Sequence, residues 1–189
     1  MEKEEKTAVY DKGLRVEAFC FHGMARPFPN HFHEYYVIGL VEKGERRLVC
    51  RNQKYVIGQG NMILFNPGDS HSCRQADEGA MDYLGLNITK EVMAGLAEEI
   101  TGDPLLPGFS AAVVQDEEAA CCLKSLHEQI MGGSAEFGKE ENLLLLLSML
   151  IQRYGRPFAE CIPECREEIE AACWFMELHY AEHISLDQI

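Results

Sequence analysis

Gly60-Asn-Met-Ile-Leu-Phe-Asn-Pro-Gly-Asp-Ser-His71 is the stretch from which the fold is read. Met62 to Phe65 form a short apolar run between a glycine and the turn Asn66-Pro67-Gly68-Asp69, where proline fixes φ and glycine accepts φ above zero. A run of that length, bounded by turn residues, reads as a strand. The pattern repeats outward. Tyr35 to Val41 is apolar, Lys43-Gly44-Glu45 turns, Arg46 to Cys50 resumes, Arg51-Asn52-Gln53-Lys54 turns into Tyr55-Val56-Ile57, and Met81 to Asn87 follows. From about Leu14 to Ile88 the chain therefore reads as short antiparallel strands with turn signals roughly every eight to twelve residues. Such spacing suits a sandwich or small barrel better than an open sheet.

At Thr89 the apolar period changes from that of a strand to that of a helix. Thr89 is placed to cap a helix with Val92, Met93, Leu96 and Ile100 on one face and Gly102 at its end. After a loop over 102–108 and a short strand at Ala111 to Val114, Asp116 caps a second helix with the stripe Ala119, Leu123, Leu126, Ile130, ended by Gly132-Gly133. A third, Lys139 to Tyr154, carries Leu143 to Leu147, Met149, Leu150 and Ile151 and is apolar around most of its circumference. Such a helix lies deep between layers or is covered by a partner subunit. The partner is the expectation here, giving a homodimer through the helices at 116–131 and 139–154. Gly155-Arg-Pro157 breaks the pattern, 155–163 reads as a linker, and Pro163 opens a further helix to about Ala181 with the stripe Ile169, Cys173, Met176, Tyr180. Ser185-Leu-Asp-Gln188 has capping-box spacing and reads as a new helix beginning, so the chain is expected to be a piece of a longer protein.

Composition narrows the function classes. The 189 residues carry 17 basic and 31 acidic side chains, a net charge of -14. That is the wrong sign for a surface that grips nucleic acid throughout. Residues 158–189 hold Arg166 against eight acids, so the tail is especially unsuited to phosphate contact. No stretch approaches the roughly 20 apolar residues of a membrane helix. Met1-Glu-Lys-Glu-Glu-Lys6 has no apolar core after it and is neither a secretory signal nor a transit peptide, so a cytoplasmic location is expected. The eight cysteines include adjacent Cys121 and Cys122 but no CxxC pair, which points to free thiols in a reducing compartment.

Three histidines fall in the strand region. Residues i and i+2 of a strand face the same way, so His31 and His33 can point together into a barrel. A third imidazole, from His71, would complete a facial set suited to a divalent transition metal. The plainer alternative leaves His31 capping its loop, His33 flanking the sheet end and His71 hydrogen-bonded in the turn. A barrel interior of this size takes a small molecule among apolar side chains with a few polar groups. His31, His33, Tyr35, Phe65, His71 and Tyr83 are the candidate lining, with plain barrel core as the alternative for the aromatics. Arg15, Arg46 and Arg47 either bind an anionic effector or are solvated.

The order of these pieces resembles the cupin barrel, whose two motifs are G-x5-H-x-H-x3,4-E-x6-G and G-x5-P-x-G-x2-H-x3-N. His31, His33 and Gly44 match the first, with Val37 where the motif has its metal-binding Glu. Gly60, Pro67 and His71 match the second, with one extra residue before Pro67 and Gln75 in place of Asn. More specifically, His31-Phe-His-Glu-Tyr-Tyr-Val-Ile-Gly39 and Gly60 to His71 resemble the effector-binding cupin of AraC family transcriptional regulators, and Ile169 to Ile189 is similar to the start of that family's helix-turn-helix unit. The resemblance implies a mainly β fold with α elements. A cupin-like double-stranded β-helix over 1–112 is followed by a helical dimerisation segment over 113–157 and by a linker and the beginning of the helix-turn-helix domain over 158–189. It further implies a small-molecule effector, a homodimer, DNA contact through the C-terminal domain and no catalytic role. The alternative is a metal-dependent cupin enzyme, an isomerase or oxygenase, which Val37 disfavours because it cannot ligate.

Overall fold

In a computed structural model, which describes residues 4–76, 79–103, 106–133, 138–157 and, beyond these, 171, 172, 174–176, 178, 179 and 185, the strands assemble into two facing antiparallel sheets. The strands are β1 (Glu5–Asp11), β2 (Val16–Met24), β3 (Phe28–His31), β4 (Tyr36–Lys43), β5 (Arg46–Cys50), β6 (Gln53–Ile57), β7 (Asn61–Phe65), β8 (His71–Gln75), β9 (Met81–Ile88), β10 (Pro107–Phe109), β11 (Val113–Gln115) and β12 (Gly155–Pro157). The helices are α1 (Lys90–Thr101), α2 (Glu117–Met131) and α3 (Lys139–Tyr154). One sheet has the order β1-β2-β9-β4-β7-β11, the other β3-β8-β5-β6, and β10 pairs with β12. This is a cupin-like, mainly β fold carrying helices. Met1–Ala159 form one unit and Glu160–Ile189 another.

The inner strands β9, β4 and β7 of the six-stranded sheet are buried on both faces, which explains their continuous apolar runs, while the edge strand β1 is exposed. Along β4, Ile38 and Leu40 face the helices while Val37 and Val41 face the second sheet. Along β7, Met62 and Leu64 join the helical core while Ile63 and Phe65 join the barrel interior. With no face left to solvent, a strand loses its polar alternation. Gly39 and Gly85 stand opposite each other in β4 and β9. A Cβ at Gly39 would enter the Tyr83 ring, and one at Gly85 would meet Phe19 and the Ile38 carbonyl. The two glycines thus make room for the Phe19 and Tyr83 rings, tilted with centroids 5.4 Å apart.

The helices begin where the sequence places them. Thr89 accepts from the Val92 amide and Asp116 from the Ala119 amide, each leaving fewer orphan donors in its first turn. Gly102 closes α1 at a φ of 74°. Both carboxylate oxygens of Asp116 also accept from Arg153 at 2.8 Å, and one accepts from the Tyr154 hydroxyl at 3.0 Å, clamping the start of α2 to the end of α3.

Three expectations change. The first concerns α3, whose Leu143, Leu146, Leu147, Met149 and Leu150 are all buried within the chain, so helix and barrel cover far more of it than its composition suggests. Leu145 is 54% exposed, and Leu144 and Ile151 are half-buried. Secondly, the segment read as the start of a linker, Gly155–Pro157, is a strand, because Pro107–Phe109 in the preceding loop offers it a partner. Thirdly, strands precede Leu14: β1 pairs along its whole length with β2 despite lacking an apolar stripe. The linker beyond 157, the boundaries of the helix opened by Pro163 and residues 186–188 of the capping box lie outside the described residues, among which 171, 172, 174–176 and 178 are helical. Among the described residues no helix is long and apolar enough to cross a membrane.

Candidate functional site

The turn at Asn66–Asp69 organises one mouth of the barrel. The Asn66 backbone and side-chain amides both donate to the Asp69 carboxylate, at 2.9 and 3.0 Å, and Gly68 sits at a φ of 84°. The Asn66 side chain also donates to the Phe109 carbonyl at 3.0 Å and accepts from its amide at 2.6 Å, so β10 buttresses the turn. From this platform the Gly68 amide donates to the His33 carbonyl at 2.8 Å. Pairing of β3 with β8 sets His31 opposite His71. These two backbone links gather all three histidines. Their ring centroids are 4.9 Å apart for His31 and His33, 4.3 Å for His31 and His71, and 5.1 Å for His33 and His71. One ring nitrogen from each lies within 4.8 Å of the others. His33 itself lies beyond the end of β3, so the turn, and not strand alternation, places it.

Backbone carbonyls fix two of the tautomers. A carbonyl only accepts, so His31 Nδ1 donates to Pro29 at 2.7 Å and His71 Nδ1 donates to Asp69 at 2.8 Å. Their Nε2 atoms are left as acceptors when the rings are neutral. Burial, reinforced by the neighbouring imidazoles, lowers the His33 pKa to about 4. Burial also lowers that of His71, against the opposing pull of the Asp69 carbonyl. Flat against these rings lie Phe65, stacked on His71 at 3.9 Å, and Tyr35, stacked on His33 at 4.9 Å.

Behind the histidines a cavity of about 290 Å³ runs between the sheets. His31, His33, Tyr35, Phe65, His71 and Tyr83 all line it. The sequence reading missed Lys6, Phe19, Phe21 and Phe28. Lys6 rides on β1, whose charged and small residues give no apolar signal, and the phenylalanines are spread over β2 and β3, where only pairing reveals a common wall. Val37 lines the cavity too, at the position where the cupin motif has its glutamate. The three arginines are elsewhere. Arg15 pairs with Glu91 at 2.9 Å on the surface, and Arg47 points outward to solvent. Arg46 is fully buried and donates to the carbonyls of Met24, Ala25 and Arg26, a structural role.

As a donor set for a metal, three imidazoles with two Nδ1–H groups held by carbonyls have the outer-shell arrangement common to metal-binding histidines. The residues fit a divalent transition ion through nitrogen alone, since Val37 supplies no oxygen.

The architecture is that of a cupin-like barrel followed by helices, and comparison with known proteins places it more closely. Residues 15–147 match the family described as the AraC-like ligand binding domain, and the chain belongs to that family. It is 42% identical over 190 residues, all of this chain and 69% of the relative, to YbfI of Bacillus subtilis (strain 168), described as an uncharacterized HTH-type transcriptional regulator. Among solved structures it resembles a cupin superfamily protein of Desulfitobacterium hafniense, with a TM-score of 0.40 and 13% identity over 47% of this chain and 79% of that one. It also resembles an RmlC-like cupin with a double-stranded β-helix from Methanocaldococcus jannaschii, with a TM-score of 0.39 and 14% identity over 47% and 84%.

Proposed function

We propose that this chain is the effector-sensing and dimerising part of a cytoplasmic DNA-binding transcriptional regulator, with no catalytic role of its own. A small molecule enters the barrel past the three histidines. Its differential affinity for two arrangements of the protein shifts their populations, which is all the coupling such a sensor requires. The observation that carries this reading is the cavity itself, walled by aromatic side chains and closed by a rim of imidazoles. Family membership and the name of the Bacillus relative support the regulatory half of the reading. The helices α2 and α3 are assigned to the homodimer, and DNA contact to the helix-turn-helix part of the regulator.

A thermal-shift screen of small metabolites tests it. At least one compound should raise the melting temperature of the wild-type chain and leave Val37→Phe, which fills the cavity, unmoved. The same compound should change transcription from a promoter controlled by the full-length regulator. A compound set that stabilises both proteins equally would place binding outside the barrel.

One observation favours a second reading, a metal-holding barrel with enzymatic capacity. His31, His33 and His71 present nitrogens within 4.8 Å of one another, two with their tautomers already set. A bound divalent ion would supply Lewis acidity there. Metal analysis of the purified protein, with His33→Ala as control, separates this reading from a purely organic site.

A further inference from the structure

We propose that the cavity takes a small molecule with a compact apolar or aromatic body and a single anionic oxygen head, a carboxylate of the benzoate kind. This rests on the effector reading above and names the chemistry of the ligand. The size sets the body. An apolar cavity of about 150 Å³ holds benzene. About 290 Å³ therefore admits one ring with a few further atoms, and excludes nucleotides and long acyl chains.

The wall sets its polarity. The buried part of the lining is mostly apolar, Phe19, Val37, Leu48, Ile63 and Phe65 among it, with His71 and Tyr83 as its buried polar members, whereas Lys6, His31, His33, Tyr35 and Asn87 are partly or fully exposed. A polyol placed here would bring more hydroxyls than the His71 ring nitrogen and the Tyr83 hydroxyl can bond, a net loss of hydrogen bonds to water. A ring among Phe19, Phe21, Phe28 and Tyr83 meets edge and face contacts instead.

Charge sets the head. The chain has 31 carboxylates, yet none lines the cavity among the described residues. The nearby Glu17 is engaged by the Asn87 amide at 2.7 Å. Lys6 reaches the mouth with its ammonium 5.2 Å from the centre of the Phe21 ring and has no carboxylate partner among the described residues. A mouth lined by a cation and imidazoles but by no carboxylate leaves room for a negative charge on the ligand, where an ammonium-to-carboxylate bond is charge-assisted. Were a metal held by the histidines, the same anionic oxygen would bind it.

Titration calorimetry on the full chain, freed of metal with EDTA, uses 4-methylbenzoate, 4-methylbenzamide and glucose as probes. The acid should bind about tenfold more tightly than the amide, which has the same shape without the charge. Lys6→Met, a change on an exposed edge strand, should weaken the acid about tenfold and leave the amide unchanged. Glucose should give no binding heat. An amide equal to the acid, preferred binding of glucose, or an acid indifferent to Lys6→Met would overturn the assignment. Zinc that restores acid binding to Lys6→Met would support the anionic head through the histidines. If both aromatics fail while another compound still binds wild type and not Val37→Phe, the ligand class falls and the effector reading stands. If no compound distinguishes those two proteins, both fall.

Discussion

Val37 stands opposite Phe65 in the ladder between β4 and β7, and the Phe65 ring lies on His71 with centroids 3.9 Å apart. An apolar branched residue thus occupies the wall beside the histidine cluster. Val37→Glu should have two opposed effects. Without metal it buries a carboxylate lacking a built partner and should cost about 2–4 kcal/mol in urea unfolding. With zinc or manganese the fourth ligand should raise metal affinity about tenfold, a gain of about 1.4 kcal/mol that recovers part of the lost stability. Metal titration by calorimetry and melting with and without metal check both; unchanged metal affinity would place Val37 outside reach of the cluster.

Arg46 carries a different kind of constraint. It is fully buried on β5, and its guanidinium closes the carbonyls of Met24, Ala25 and Arg26 where the chain leaves β2, while its Nε has no hydrogen-bond partner. Arg46→Met keeps the aliphatic bulk and removes every donor. The stranded carbonyls should cost about 2–4 kcal/mol, read from the urea midpoint at unchanged slope, with ligand binding to the surviving folded fraction intact. A loss of affinity without a loss of stability would instead make Arg46 part of the site.

How much of this was legible depends on how local the cause is. The caps at Thr89 and Asp116 and the turn at Asn66–Asp69 were readable because side chain and backbone partner lie within three residues. The gathering of His31 and His71 was read from strand alternation and a third imidazole on another strand, and cross-strand pairing explains it. Lys6 was invisible because nothing in Glu5–Asp11 distinguishes an exposed edge strand from a loop. The reading of Arg46 failed for the reverse reason: a buried arginine satisfied by three carbonyls looks like any basic residue until the β2 end is placed against it.

His127 couples stability to pH. It is buried on α2 and its Nε2 donates to the Phe19 carbonyl at 2.9 Å. Burial lowers its pKa below the ordinary 6.5, with the Phe19 bond pulling the other way. The unfolded chain therefore takes up a proton at His127 before the folded chain does. Its contribution is intact above about pH 6.5 and declines as pH falls from there toward the folded-state pKa. Unfolding midpoints at pH 7.5 and 5.5 should differ less for His127→Gln, which keeps a donor for Phe19 but does not titrate. An equal acid loss in both would assign the sensitivity elsewhere.

The helices α2 and α3 decide whether the chain dimerises as proposed. Their shared core is closed internally, with Leu143, Leu146, Leu147 and Leu150 fully buried. The outward face of α3 bears Glu141, Leu145 and Gln152, all exposed, and Leu145 is its apolar centre. A contact there would be small and centred on one residue, so its removal should separate assembly from folding. Leu145→Glu should shift the wild-type dimer to monomer in light scattering while moving the unfolding midpoint little, because the side chain leaves no cavity behind. Leu146→Ala, one residue on, should do the opposite and cost about 2–5 kcal/mol through lost burial and the cavity left between helix and sheet. A wild-type chain that stays monomeric at high concentration would remove α3 from any interface, and a Leu145→Glu protein that remains dimeric would move that interface to another face.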